Sequence, residues 1–220
     1  MPFGKGHNLT STRSQQAYQV ILQAIRDGDY PPGMALREEE VATSLGVSRT
    51  PVREAFGRLR ERGLLVSTTG RGTAVAKLSV QQIFELYAMR QEMDGLAASF
   101  AARHATPAVI ANLDRLNAEF AASADDPQQA AHWNRLLHAR IYDAARNRYL
   151  GQALEGIQEA IALLQSTTFS EAGRTAEAVA EHAAIIDAIR AGDDQAARAA
   201  AIRHIQQAFE IRLRMAQPEG

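Results

Sequence analysis

The sequence predicts a mainly α protein in two parts: an N-terminal winged helix-turn-helix (three helices plus a small two-stranded wing), followed by an all-α six-helix bundle. Three observations carry this. The run Gly46-Val47-Ser48-Arg49-Thr50-Pro51-Val52-Arg53-Glu54-Ala55 reads as a tight turn between two short helical patterns. Thr68-Thr69-Gly70-Arg71-Gly72 has hairpin composition, with strand-like runs on either side. From Ser79 onward there is no strand-like alternation, Gly and Pro are sparse, and apolar residues recur at helical spacing.

Residues 1–13 lack an apolar core segment, so they read as a flexible arm and not as a secretory signal. The winged helix is expected over residues 14–78. Tyr18, Ile21, Leu22 and Ile25 lie on one helical face, and Gly28-Asp29-Tyr30-Pro31-Pro32-Gly33 ends that helix. Leu36 to Leu45 forms a second, short helix with Val41, Ala42 and Leu45 as its apolar stripe. After the turn at Gly46 a third helix runs to about Arg62. Ser48 suits its N-cap, and Pro51 is tolerated where backbone N–H groups have no intrahelical partner. Gly63-Leu64-Leu65-Val66 leaves that helix for a strand, and Thr73-Ala74-Val75-Ala76 returns, with Arg71 at the wing tip.

Arg49 and Arg53 are four apart and share a helical face. A helix start bearing Arg, Thr and Ser fits the DNA major groove. There Arg pairs bidentately with guanine, while hydroxyls and the helix N-terminus hold phosphates. Charge agrees with this placement. The whole chain is −1, but residues 1–78 carry +4 and residues 79–220 carry −5, which puts nucleic-acid contact in the first part. Lysine occurs only at Lys5 and Lys77, and the arginine bias with heavy alanine use reads as a GC-rich coding habit.

The segment from about Ala17 to Ala76 resembles the winged-helix domain of the GntR family of bacterial transcription regulators. The matching pieces are Ile25…Gly28…Pro32-Gly33…Leu36, Leu45 through Ala55, Leu59…Gly63-Leu64, and Gly70-Arg71-Gly72. The resemblance implies that Arg49, Thr50 and Arg53 touch operator DNA and that the wing reaches the adjacent minor groove or backbone. Arg37, Ser48, Arg71 and Gly72 complete the expected contact set.

In residues 79–220, helices are expected at roughly 79–104, 107–123, 128–146, 148–167, 171–191 and 193–216. Three carry polar groups inside apolar stripes. Asn134, Leu137, His138, Ile141, Tyr142 and Ala145 share a face, as do Val179, His182, Ile186 and Ile189, and Ala201, His204, Ala208 and Ile211. His132 is about 240° round the helix from His138 and faces elsewhere. A lone histidine on such a stripe reads as a hydrogen-bonded core residue. Three, with an adjacent Asn, would leave several buried polar groups unsatisfied unless they share a partner, and a divalent metal satisfies all of them.

This part resembles the effector-binding FCD domain of the FadR-type branch of the same family. The resemblance rests on Leu86-Tyr87-Ala88-Met89-Arg90…Met93-Asp94, Asn134…His138, Asn147…Leu150, Glu181-His182…Ile185-Ile186-Asp187-Ala188-Ile189…Gly192-Asp193…Ala196-Ala197 and His204-Ile205. It implies a divalent metal at Asn134, His138, His182 and His204, with zinc first and nickel or manganese as alternatives. Asn134 departs from the family's usual aspartate and brings no negative charge, which weakens metal retention and strengthens the pull on an anionic effector. Arg90 lies on the Ile83, Leu86, Tyr87, Ala97 stripe, either facing the same cavity as a carboxylate clamp or forming an interdomain or interface salt bridge. Tyr142 and Asn147 are weaker pocket candidates.

The expected protein is therefore a DNA-binding repressor, not an enzyme. It would be a homodimer on an inverted-repeat operator, controlled by a small carboxylate metabolite bound at the metal. Alternatives are a metal-free sensor whose histidines bond the ligand, and a metal-dependent enzyme bundle fused to a DNA-binding module. The acids near the histidines, Glu181 and Asp187, lie off the His182 stripe, which speaks against a paired general base. No apolar run approaches 18 residues, so no membrane span is expected, and the missing signal and the DNA motif point to the cytoplasm and the nucleoid. Cysteine is absent, which excludes disulfides and thiol catalysis.

Overall fold

The computed structural model describes residues 6–216 except 69–71 and 165. It comprises two compact units: Met1–Ser79 with Gln158–Gln165, and Val80–Ile157 with Ser166–Gly220.

The first unit runs α1 (Gly6–Asp27), β1 (Ala35–Leu36), α2 (Glu38–Ser44), α3 (Arg49–Glu61), β2 (Leu65–Thr68) and β3 (Gly72–Val75). Tyr18, Ile21, Leu22 and Ile25 of α1 pack on Val52, Ala55, Phe56 and Leu59 of α3, with Leu36, Val41, Leu64 and Val75 closing the core. The wing has three strands, not two. β1 adds to β3 through Ala35↔Ala74 and Leu36↔Thr73, in the order β1-β3-β2. Gly33, at φ +88, turns the chain so that its N–H donates to the Val75 carbonyl, and Val75 donates back to Met34. Two residues are too few for alternation to reveal a strand in sequence.

Residues 1–5 of the expected arm lie outside the described residues, but α1 begins at Gly6, well inside it. Nothing between Gly6 and Asp27 breaks a helix, and the polar start of α1 simply lacks the apolar periodicity that marks its second half.

Leu163 is buried in the winged-helix core. The Tyr18 hydroxyl donates to Glu159 Oε1 at 2.6 Å, and Arg62, the C-cap of α3, pairs with Glu159 at 3.5 Å. Burial, then the Glu159 hydrogen bond and charge, pushes the Tyr18 phenol up to about 12. Gln158–Gln165 thus belongs with the DNA-binding fold, although the sequence placed it in the helical part.

The second unit contains α4 (Val80–His104), α5 (Pro107–Ala122), α6 (Pro127–Ala144), most of α7 (Arg148–Ile161), a 3-10 turn at Thr168–Ser170, α8 (Arg174–Ala191) and α9 (Asp194–Ala216). Starts and stops follow local chemistry. Thr106 and Asp126 accept backbone N–H groups at the starts of α5 and α6, each just before a proline. Gly192, at φ +70, ends α8. The helix expected over 148–167 stops at Ile161.

Helices α4 and α9 meet through small side chains. Ala97, Ala98 and Ala101 of α4 and Ala197, Ala200 and Ala201 of α9 are all buried in one core. A Cβ on Gly95 would lie 2.9 Å from Ile202 Cγ1. The alanine bias therefore has a packing role beyond coding habit: it brings His204 of α9 close to Arg90 and Asp94 of α4.

Candidate functional site

On the winged helix, α3 buries Val52, Ala55, Phe56 and Leu59 and exposes Ser48, Arg49, Thr50 and Arg53. Ser48 sits at the N-cap with φ −69 and ψ 164, but its hydroxyl makes no capping bond, contrary to expectation. Arg37, at the start of α2, is exposed and paired with Glu40 at 3.1 Å. Gly72 opens β3 opposite Thr68, where a Cβ would collide with the Thr68 hydroxyl. Arg71 lies outside the described residues. Sequence reading missed Glu38, whose Oε2 stands 3.2 Å from Arg53 Nε and 3.9 Å from Arg49.

In the bundle, His138 of α6, His182 of α8 and His204 of α9 converge. All three are buried, and each offers a ring nitrogen within 4.8 Å of the others. Every Nδ1 has a side-chain oxygen partner. His138 meets Asp94 Oδ1 at 2.9 Å, His204 meets Glu181 Oε2 at 2.6 Å, and His182 meets Asn117 Oδ1 at 3.3 Å. Asn117 donates its amide to the Val179 carbonyl, which leaves its oxygen as the acceptor for His182. These acceptors favour the proton on Nδ1 and the lone pair on Nε2, the tautomer that metal ligation through Nε2 requires. The Nε2 atoms of His138 and His204 then face each other at 3.2 Å, two lone pairs with no proton between them. His182 Nε2 and Asn134 Oδ1 are buried with no hydrogen-bond partner among the described residues. A divalent cation answers the three converging Nε2 lone pairs, so the histidines present fit the group that the sequence implied.

Burial first, then the neighbouring imidazoles, holds His182 and His204 well below the usual histidine range and therefore neutral. Burial alone would raise the Asp94 carboxyl. The hydrogen bond from His138, the Arg90 charge and the hydrogen bond from Tyr142 outweigh it and lower Asp94.

Arg90 is buried and ion-paired with Asp94 at 3.7 Å, its guanidinium over the Tyr87 ring. It reaches the histidine cluster as a partner of Asp94. Tyr142 donates to the same carboxylate at 2.7 Å. The Asn147 side chain, expected at the pocket, accepts from Tyr149 N and Leu150 N and caps α7. His132 is exposed, as its helical angle predicted.

Four supporting residues were not singled out in the sequence. Asp94 had a signal, being four residues after Arg90 and three before Ala97 on one face. Asn117 had one too, four residues after Leu113. Glu181 and Arg174 had none: Glu181 lies off the His182 stripe, as noted, yet bonds His204 on the next helix. Arg174, only 1% exposed, grips Glu181 bidentately at 2.7 Å on each arm.

Comparison with known proteins agrees with both halves. Residues 13–75 match "Bacterial regulatory proteins, gntR family", and residues 85–207 match "FCD domain". The chain is 30% identical to the "Probable D-xylose utilization operon transcriptional repressor" of Paenarthrobacter nicotinovorans, covering 89% of this chain and 86% of that protein. It is 27% identical to the HTH-type transcriptional repressor RspR of Escherichia coli K12, over 92% of this chain and 90% of RspR. Among solved structures, E. coli McbR/YncC superposes with a TM-score of 0.85 at 22% identity, over 93% of this chain and 99% of McbR/YncC, a likeness of fold.

Proposed function

The chain belongs to the GntR family of bacterial regulatory proteins and carries an FCD domain; from that premise we propose that this transcriptional regulator is a metal-dependent sensor of a small organic acid. It acts as a repressor. Arg49, Thr50 and Arg53 read the major groove, Arg37 and the free hydroxyl of Ser48 hold phosphates, and Arg71 and Gly72 bring the wing tip to the backbone or minor groove. One winged helix reads half a site, so the working form is a homodimer on an inverted repeat.

The observation that carries the sensor reading is the convergence of three Nε2 lone pairs whose Nδ1 atoms are all held. Asn134, His138, His182 and His204 would hold the metal, with zinc first and nickel or manganese as alternatives. When bound it supplies a Lewis-acidic anchor for a carboxylate. The chain's own charges support an anionic ligand. Asp94 is matched by Arg90 and Glu181 by Arg174, while the four ligands are neutral, so among the described residues no unmatched carboxylate at the cluster cancels the charge of a dication. Asp94, Asn117 and Glu181 orient the imidazoles, and Tyr142 supports Asp94.

Ligand binding then changes operator affinity, and operator DNA changes ligand affinity by the same factor. The test is elemental analysis of protein purified without chelator or immobilised nickel, followed by operator titrations with a panel of carboxylates. About one divalent ion per chain and a carboxylate-dependent operator affinity are the expected results. No metal after reloading, with a carboxylate response intact, turns the reading to a metal-free site in which the histidines bond the ligand.

A further inference from the structure

Glu38 is out of place on a DNA-binding face. It is the first residue of α2, 24% exposed at its side chain, and stands between the two arginines expected to read bases. A carboxylate there repels phosphate, so for simple electrostatic attachment it is a handicap. A helix-dipole role accounts for an acid in the first turn of α2, but Glu39 and Glu40 already supply two. What separates Glu38 from them is its contacts: its Oε2 accepts from Arg53 Nε at 3.2 Å and lies 3.9 Å from Arg49 Nη2.

From this geometry we infer that Glu38 is a specificity-determining residue: it positions the Arg49/Arg53 pair and lowers their affinity for phosphate. With Nε of Arg53 engaged, the two terminal nitrogens remain as the outward fork, the edge that meets guanine O6 and N7. On random sequence the arginines keep Glu38 as a partner and gain less from phosphates. On the operator, base contacts replace what is lost. Glu38 thus weakens non-specific binding more than specific binding, and its effect lies in their ratio. The inference rests on the proposed base-reading role of Arg49 and Arg53.

The test uses the full chain and two duplexes: one recovered by the wild-type protein from a randomised library, and a shuffled duplex of the same composition. In Glu38→Gln, binding to the shuffled duplex is expected to tighten about 2- to 5-fold, the scale of one exposed charge pair. The recovered-to-shuffled ratio is expected to fall about fivefold or more. Glu39→Gln removes an equal charge from the same helical turn and is expected to leave the ratio unchanged. Arg53→Ala separates the two levels of failure. If it leaves the ratio unchanged, the base-reading role fails and the proposal with it. If Arg53→Ala lowers the ratio while Glu38→Gln does not, or if Glu38→Gln and Glu39→Gln behave alike, the proposal alone is overturned.

Discussion

Arg49 and Arg53 sit four residues apart on one exposed helix, each more than half exposed. His138, His182 and His204 come from three helices and are at most 3% exposed. The two regions differ in what holds their polar groups. The arginines are solvated. The imidazoles are dry, and each depends on an oxygen from another helix to fix its proton. A solvated set should lose function in graded steps, whereas a buried, interlocked set should fail as a unit.

The largest expected effect breaks the interlocked set. His182→Ala should take metal content from about one per chain to none and abolish the ligand response, while operator affinity without ligand stays near wild type. Elemental analysis beside a DNA titration checks both, and loss of operator binding together with loss of the circular-dichroism signal would mean a structural role instead. Next comes the exposed set. Arg53→Ala should cost about 1–3 kcal/mol of operator affinity if it makes a base contact, with metal content unchanged. Fluorescence anisotropy reads the first and elemental analysis the second. A metal change in this variant would collapse the distinction between the regions.

A smaller effect sharpens the comparison inside the bundle. Asn117→Ala frees His182 Nδ1 without stranding a charge, so it should weaken metal binding about 10- to 100-fold in a chelator competition. Equal affinity would show that the Nδ1 partner is dispensable. The smallest effect concerns Asn147, a pocket candidate in the sequence and the cap of α7 in the structure. Asn147→Ala should cost about 1 kcal/mol of stability through the lost cap of α7 and leave ligand affinity alone. Thermal unfolding beside a ligand titration decides it, since a changed ligand affinity would return Asn147 to the pocket.

The same contrast explains what the sequence disclosed. A turn, an N-cap position and an i, i+4 pair are local, so the helix-turn-helix and its exposed arginines could be read from ten consecutive residues. The three histidines were legible because each interrupts an apolar stripe. Their partners were legible only in part: Asp94 and Asn117 lie on patterned faces, but a stripe describes one helix at a time, and Glu181 is off the face of its own helix and meaningful only once α9 lies beside it. The cap role of Asn147 was hidden for the opposite reason, a local function masked by a long-range resemblance. β1 escaped because a two-residue strand has no period.

Leu163 and Glu159 give the winged helix a further property, one that concerns modularity. The DNA-binding fold is discontinuous along the chain: Leu163 fills its core, and Glu159 holds the Tyr18 hydroxyl and the arginine that caps α3. A fragment cut after Ser79 would carry the whole helix-turn-helix and wing yet lack a buried leucine and the acceptor for a buried phenol. Grafting this DNA reader onto another sensor therefore means transplanting two separate stretches of gene, and a chimaera that joins only the first should fold less stably than its sequence motif suggests.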